Sequence, residues 1–423
     1  MRKYNEVLER GLGLKDAVGV GLGAIIGAGI FVVTGVAAGV AGPAFLAGLF
    51  IAGIIAACNA LSSAQLAAKY PFAGGTYDYG NRLLSPLFGF SAGWMFLISK
   101  IAAGSVVAIG FGSYFYQLVP LGSPKILATA AIILLLIANL LGIKKAGNLN
   151  LFIVGITILS LLYFVVSGLP QVEKTHFTPF APFGLYGIAE AAALLFFAFT
   201  GYARIATLAE EVKNPKTTIP KAIIITIVSA IILYALVSLV ALGVLGYDAM
   251  ASSTSPLQIA ATQLKTPAIQ LVITIGASTA MLGVLLSQLL GISRMFFAMA
   301  RNNDFFPVFQ SVHKTSKVPH IALIFTALII LLLTWFGSFE FVLAAAAFTI
   351  LLYYSITNIA ALKQEKLDRL YPQRVPVLGL LGCLAMAVSL NKYVVTTGVT
   401  LLVMGWVFRW VLHRFLKPSS LQN

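Results

Sequence analysis

The groups best placed to do chemistry in this sequence belong to its backbone. Residues Gly23 to Phe31 read GAIIGAGIF, with Gly23, Gly27 and Gly29 close together inside an apolar run from Leu14 to about Val40. Each glycine weakens a helix by roughly 1 kcal/mol relative to alanine, so three at mid-run predict a break. A half-helix restarting near Gly27 presents free N–H groups and a positive dipole end, suited to a carboxylate. The half-helix that stops before it leaves free carbonyls near Ile25, suited to an ammonium group or a sodium ion. A second apolar run carries FFAFTGYARIAT, Phe196 to Thr207, with Thr200-Gly201 near its middle. It should offer similar carbonyls near Phe197 and Thr200. A site that binds both a carboxylate and an ammonium group is a site for an α-amino acid. The plainer reading of the glycines is close helix packing, since Gly23 and Gly27 have small-xxx-small spacing.

Other chemistries find less support. The histidines His176, His313, His320 and His413 fall in loops or at the ends of apolar runs, with no ligand spacing among them. A dinucleotide loop would need GxGxxG between a strand and a helix, and neither the spacing nor the surroundings fit. Cys58 and Cys383 both lie in apolar runs and read as small buried hydrophobes, with no disulfide framework or metal site. No enzyme activity and no cofactor are expected.

The elements that must position the two glycine segments are membrane helices. The chain has 423 residues, 59% apolar and only 10% charged, with a mean hydropathy of +0.96. So few charges do not cover a soluble surface of this size, and apolar runs of about 20 residues recur from end to end. The formal charge of +15 is spread between these runs rather than gathered in a patch or tail, which argues against nucleic acid as a partner. The N-terminal segment 1–13 is charged and leads into a run too long for a signal-peptide core, so a retained cytoplasmic segment is expected. Turn signals divide the chain into twelve candidate spans, at about 14–40, 43–68, 86–117, 124–142, 149–169, 185–211, 220–246, 266–300, 319–337, 341–362, 375–391 and 393–413. The third is long enough to tilt or to extend past the membrane. With the N-terminus cytoplasmic, 22 lysines and arginines fall on the inner side and four on the outer: Lys125, Lys174, Lys265 and Lys392. That asymmetry predicts that both termini, including the tail 414–423, are cytoplasmic.

The glycine segments sit in spans 1 and 6, five helices apart. Five is odd, so a second set of five helices beginning at span 6 has inverted topology. Interrupted segments at corresponding positions of inverted halves point to a transporter site at the midplane. Unwound backbone is tolerated at that depth only where protein, water or ligand satisfies it.

At this point the sequence resembles the amino acid–polyamine–organocation transporters over essentially its whole length. The motifs that carry the resemblance are GAIIGAGIF, YPFAGGTYDYG at Tyr70 to Gly80, Gly93-Trp94, NLLGIKKAG, FFAFTGYARIATLAEEVKNPKTTIPKAI and SRMFFAMARNNDFFP, in that order. The resemblance implies an all-α integral membrane fold of 12 transmembrane helices. Its core is a five-plus-five (LeuT-like) inverted repeat, spanning 14–169 and 185–362, with discontinuous helices 1 and 6; two C-terminal helices follow over 375–413. It further implies alternating access around a central amino acid. Carried over by position, the carboxylate contacts fall on the amides of Gly27, Ala28 and Gly29, and the ammonium contacts on the carbonyls of Ile25, Phe197 and Thr200. Phe197 resembles an occluding gate, and EEVKNP, Glu210 to Pro215, resembles the inner gating segment of helix 6.

The departures from the family pattern bear on substrate and coupling. Members that carry cationic amino acids often have an acidic residue after Gly-Trp; here GWMFLISK places Ser99 there, followed by Lys100. In helix 6 the common GFD or GYE becomes GYA, with Ala203 and then Arg204. A charge at the bilayer centre costs about 2.5–3.5 kcal/mol or more, so each cation is a functional candidate. Lys100 lies 14 residues past Pro86, about 21 Å along a helix and too deep to snorkel easily. Cations near the pocket would repel basic substrates and favour neutral or acidic ones. In the alternative, Lys100 and Arg204 bond to helix-end carbonyls or nearby carboxylates and never meet substrate.

For coupling, some proton-coupled relatives carry a helix-5 lysine at the position of Thr157, and Lys100 is a candidate substitute. A sodium ion between the carbonyls of Ala24 and Ile25 and the hydroxyls of Ser278 and Thr279 is the alternative. Glu190 is a secondary proton candidate. The functional expectation is proton-coupled amino-acid symport across the cell membrane, with exchange, sodium coupling, a channel and a nutrient-sensing receptor as alternatives. The oligomeric state is left open.

Overall fold

The computed structural model describes residues 12–70, 74–141, 147–202, 205, 212–313, 316 and 318–415. Among these the chain is all helix, with no strand and one isolated bridge between Leu12 and Val212. The α-helices in chain order are α1 (Leu14–Ile25), α2 (Thr34–Ala41), α3 (Phe45–Lys69), α4 (Thr76–Leu83), α5 (Pro86–Phe115), α6 (Pro124–Leu140), α7 (Gly147–Gly168), α8 (Gly184–Phe199), α9 (Pro215–Leu245), α10 (Tyr247–Ala251), α11 (Pro256–Gln263), α12 (Ile269–Arg301), α13 (His320–Phe336), α14 (Phe339–Lys363), α15 (Arg374–Ser389) and α16 (Lys392–Phe415).

Local signals explain many of the boundaries. Proline at the first helical turn opens α5, α6, α9 and α11, where a missing N–H costs nothing. Ser85 also caps α5, accepting the Phe88 N–H at 3.4 Å. Gly246, at φ +77°, ends α9 in a conformation few side chains tolerate. The expected start of the seventh span at 220 lies too late: α9 begins at Pro215 and carries Pro220 inside it. A proline so near the N-terminus removes only one backbone bond, which the helix absorbs.

Among the described residues, eight helical runs are long and apolar enough to cross a membrane, and α6, α13 and α15 are shorter apolar helices. The molecule is therefore a multi-pass membrane protein. Burial sorts the runs. The most apolar stretches of Leu14–Lys69 and of α5 are each 78% buried, whereas that of Lys392–Arg414 is 17% buried. The α1–α2 segment, α3, α5, α8, α12 and α14 thus form the centre, with α14 and α12 packed on α5 and α3 packed on α8 and α9. Leu134, Leu159, Val166, Phe336 and Val388 point outward from the peripheral helices, as a lipid-facing surface requires.

Two polar knots tie helices together. Asn358 donates to Asn59, and Asn59 donates to the Cys383 sulfur at 3.1 Å, joining α14, α3 and α15. Cys383 is buried as its run implies, but Cys58 is only partly buried. In the second knot the buried Asp304 carboxylate accepts from Tyr77 at 2.8 Å and pairs with Arg409 at 2.8 Å. Burial and then the Asp304 charge hold the Tyr77 phenol well above its ordinary range, so it stays a donor.

Candidate functional site

The first glycine segment is a true interruption. α1 ends at Ile25, and Ile26 turns extended (φ −78°, ψ 105°) while its N–H still reaches the Leu22 carbonyl at 2.8 Å. A π-helical turn over Gly29–Val33 then leads into α2, with the Phe31 N–H bonding back to the Gly27 carbonyl at 3.4 Å. The amides of Gly27, Ala28 and Gly29 precede that first bond and stand at the donor end of the new helix. The wide turn was not anticipated; π turns commonly mark functional sites.

The second segment breaks at the expected place. α8 stops at Phe199, and Thr200–Tyr202 form one 3-10 turn, with the Thr200 hydroxyl donating to the Phe197 carbonyl at 3.0 Å. Ala203, Arg204, Glu210 and Glu211 lie outside the described residues.

The two breaks touch each other. A Cβ added at Gly29 would lie 2.5 Å from the Ala198 Cα, and one added at Gly201 would overlap the Ala24 carbonyl. These glycines therefore serve close backbone approach between two unwound segments distant in sequence. The donor end of one helix and the carbonyl ends of both meet in one buried place: Ile25, Ala28, Gly29, Phe197 and Thr200 are all buried. A Cβ at Gly27 would meet Val284 Cγ2 of α12 at 2.8 Å, so α12 forms the wall opposite the donor end.

Three buried tyrosines donate to backbone carbonyls at or beside the breaks. Tyr234, from α9, donates to the Ile25 carbonyl at 2.8 Å and lies 3.5 Å from that of Ala198, so one hydroxyl spans both broken helices. Tyr354, from α14, donates to the Thr200 carbonyl at 3.3 Å. Tyr114, from α5, donates to the Phe31 carbonyl at 2.6 Å. Sequence reading missed all three. A signal existed, because a tyrosine buried in an apolar helix needs an acceptor and a broken helix supplies one.

Lys100 comes to this place from α5, its Nζ donating to the Thr200 hydroxyl at 3.3 Å. Three of the other coupling candidates gather elsewhere. The hydroxyls of Thr157 and Thr279 both reach the Gly276 carbonyl, at 3.4 and 3.2 Å, where α7 meets α12. Thr279 also bonds back to Ile275 at 2.8 Å. The buried Ser278 hydroxyl has no hydrogen-bond partner among the described residues. Glu190 is half-buried near the Asn391 backbone, ten residues before Thr200 and so about 15 Å away along α8.

The amino acid permease family model matches residues 16–411. The chain belongs to that family. It is 38% identical to an uncharacterized transporter of Mycobacterium tuberculosis, over 100% of this chain and 95% of that protein. It is 30% identical to the methylthioribose transporter of Bacillus subtilis, over 74% of this chain and 72% of that one. It is also 30% identical to the branched-chain amino acid permease BcaP of Bacillus subtilis, over 98% and 95%.

For a permease the contact between the breaks makes a direct prediction. Gly27→Leu drives a side chain into Val284, which lies 2.8 Å from even an added Cβ, and so displaces the amides at the donor end. The variant should reach the membrane at normal levels, seen by blotting, and take up no amino acid in vesicles. Normal uptake at normal expression would move the carboxylate site away from Gly27.

Proposed function

We propose that this permease is a secondary active transporter of α-amino acids, working by alternating access around a site between the breaks of helices 1 and 6. The observation that carries the reading is the meeting of one helix donor end with two sets of helix-end carbonyls, bridged by Tyr234. Such a site complements both charges of a zwitterion. The 56-residue run Leu14–Lys69 is long enough for two crossings, and with the other seven long runs and three short helices it supports a twelve-span reading. In that reading helices 1–5 and 6–10 form an inverted repeat, and the lysine and arginine asymmetry puts both termini on the cytoplasmic side of the cell membrane. Substrate contacts to both half-helices differ between outward and inward states, which lets binding shift their balance.

The substrate class follows from Lys100. Lys100 sets a cation beside Thr200, so the substrate ammonium is held from the Ile25 side and a second cationic group on the substrate is disfavoured. The site thus favours neutral or acidic amino acids over basic ones. Lys100→Gln should admit lysine or arginine as competitors of neutral uptake, gaining about tenfold or more in potency. An unchanged inhibition profile would remove Lys100 from selectivity.

Proton coupling is the form we carry forward. Lys100 places an amine beside the break, its Nζ donating to the Thr200 hydroxyl at 3.3 Å, where a carried proton would sit. The test is uptake of radiolabelled neutral, acidic and basic pools into proteoliposomes, with and without an imposed proton gradient. Gradient-driven neutral or acidic uptake supports the reading. Sodium-driven uptake, or uptake only against internal amino acid, replaces the coupling with symport of sodium or with exchange. Strong competition by methylthioribose, which has neither a carboxylate nor an ammonium group, would overturn the zwitterion site itself.

A further inference from the structure

The last helix, α16, is the least enclosed of the long apolar runs. Its outer face carries Val399, Val403, Val407 and Val411 at i, i+4 spacing, all exposed, with Met404 beside them. Together with Phe408 these side chains line a shallow groove of about 570 Å³. From Val399 to Val411 the groove runs 12 residues, about 18 Å, slightly more than one leaflet of a hydrocarbon core of about 30 Å. The chemistry changes where the groove ends. Trp410 is exposed there, and the Arg414 guanidinium lies 5.2 Å over its ring. Trp410 thus holds a cation at the level where tryptophan and arginine meet headgroups.

The neighbouring basic residues point the other way. Arg409 is committed to the buried Asp304 at 2.8 Å, and His413 Nε2 lies 3.4 Å from the same carboxylate. α16 therefore uses Arg409 and His413 to anchor itself inward, and leaves exposed Arg414, stacked on exposed Trp410, beside the groove mouth. An apolar channel one leaflet long, closed at the interface by an aromatic-backed cation, fits one acyl chain of an anionic phospholipid with its headgroup at Arg414.

We propose that α16 carries a binding site for an anionic phospholipid of the surrounding bilayer, formed by the valine groove and the Trp410–Arg414 pair. The site is separate from the transport site and does not depend on which substrate is carried.

The test uses native mass spectrometry on the purified full-length chain, loaded with equal amounts of phosphatidylglycerol and phosphatidylcholine of identical acyl chains. The wild type should retain phosphatidylglycerol over phosphatidylcholine by about fivefold or more. Arg414→Gln should abolish that preference while uptake stays within twofold of wild type. Val403→Trp, which blocks the groove without touching charge, should lower retention of both lipids. Equal retention of the two lipids by wild type, or an unchanged preference in Arg414→Gln, overturns the proposal. So does a dimer that Val403→Trp dissociates, because a second copy of the chain would then occupy the groove.

Discussion

Gly201→Ala should eliminate amino-acid uptake, by about 100-fold or more, while the protein still inserts into the membrane. The added methyl would coincide with the Ala24 carbonyl, a backbone group that cannot rotate away as a side-chain tip does. Relief requires the two broken helices to separate. Overpacking of this kind costs typically about 1–3 kcal/mol of stability, which a large helical protein survives. The site does not survive it. A hydrogen bond at 2.8 Å, such as Tyr234 to Ile25, is lost once a shift of about 1 Å carries it past 3.6 Å. The control is Gly155→Ala in α7, where an added methyl meets nothing within 4 Å. It should leave uptake within twofold and raise helix stability slightly, since alanine is favoured over glycine by about 0.8–1.0 kcal/mol. Equal behaviour of the two variants in vesicle uptake would mean that contact between the breaks is dispensable.

Tyr234→Phe is the second large effect. The change keeps the ring and its packing against Phe199, at 5.4 Å between centroids, and removes one oxygen. The buried Ile25 carbonyl then loses its donor, a loss worth about 1–3 kcal/mol. Ile25 also sits at the carbonyl end proposed for the substrate ammonium, so the cost should fall on binding. Apparent affinity should weaken by about tenfold, with a smaller change in maximal rate, read from concentration-dependent uptake. Tyr234→Leu, which also removes the ring, should be worse in stability as well. If Tyr234→Phe binds as well as wild type or better, the hydroxyl is a placeholder for the ammonium group rather than a support for it.

Much of this arrangement was legible in the residues. Glycines clustered in an apolar run have few structural uses, so GAIIGAGIF marked the break between Ile25 and Ala28, and Thr200-Gly201 marked the second. The depth of Lys100 followed from a count along one helix, and a cation at that depth had to find polar company, to which the Thr200 hydroxyl belongs. What stayed hidden depends on contacts between segments far apart in the chain. Tyr234 and Ile25 are separated by 209 positions, and Tyr354 and Thr200 by 154. Hydrophobic periodicity tells which face of a helix is buried but not which distant carbonyl that face will meet. The meeting of Gly29 with Ala198, and of Gly201 with Ala24, was invisible for the same reason. The shift of α9 from 220 to 215 has a local cause, because a proline near a helix start reads in sequence as a boundary.

The central claim is that the two breaks form one site for both charges of an α-amino acid. Equilibrium binding to the purified protein tests it most directly, with one labelled neutral amino acid displaced by its unlabelled self, its methyl ester and its N-acetyl derivative. The ester removes the carboxylate charge, and the acetyl group removes the ammonium charge. Each derivative should compete at least about 100-fold more weakly than the parent, and Tyr234→Phe should narrow the gap for the N-acetyl compound alone. If either derivative competes as well as the parent, the corresponding helix end does not bind that charge and the two-ended site is wrong.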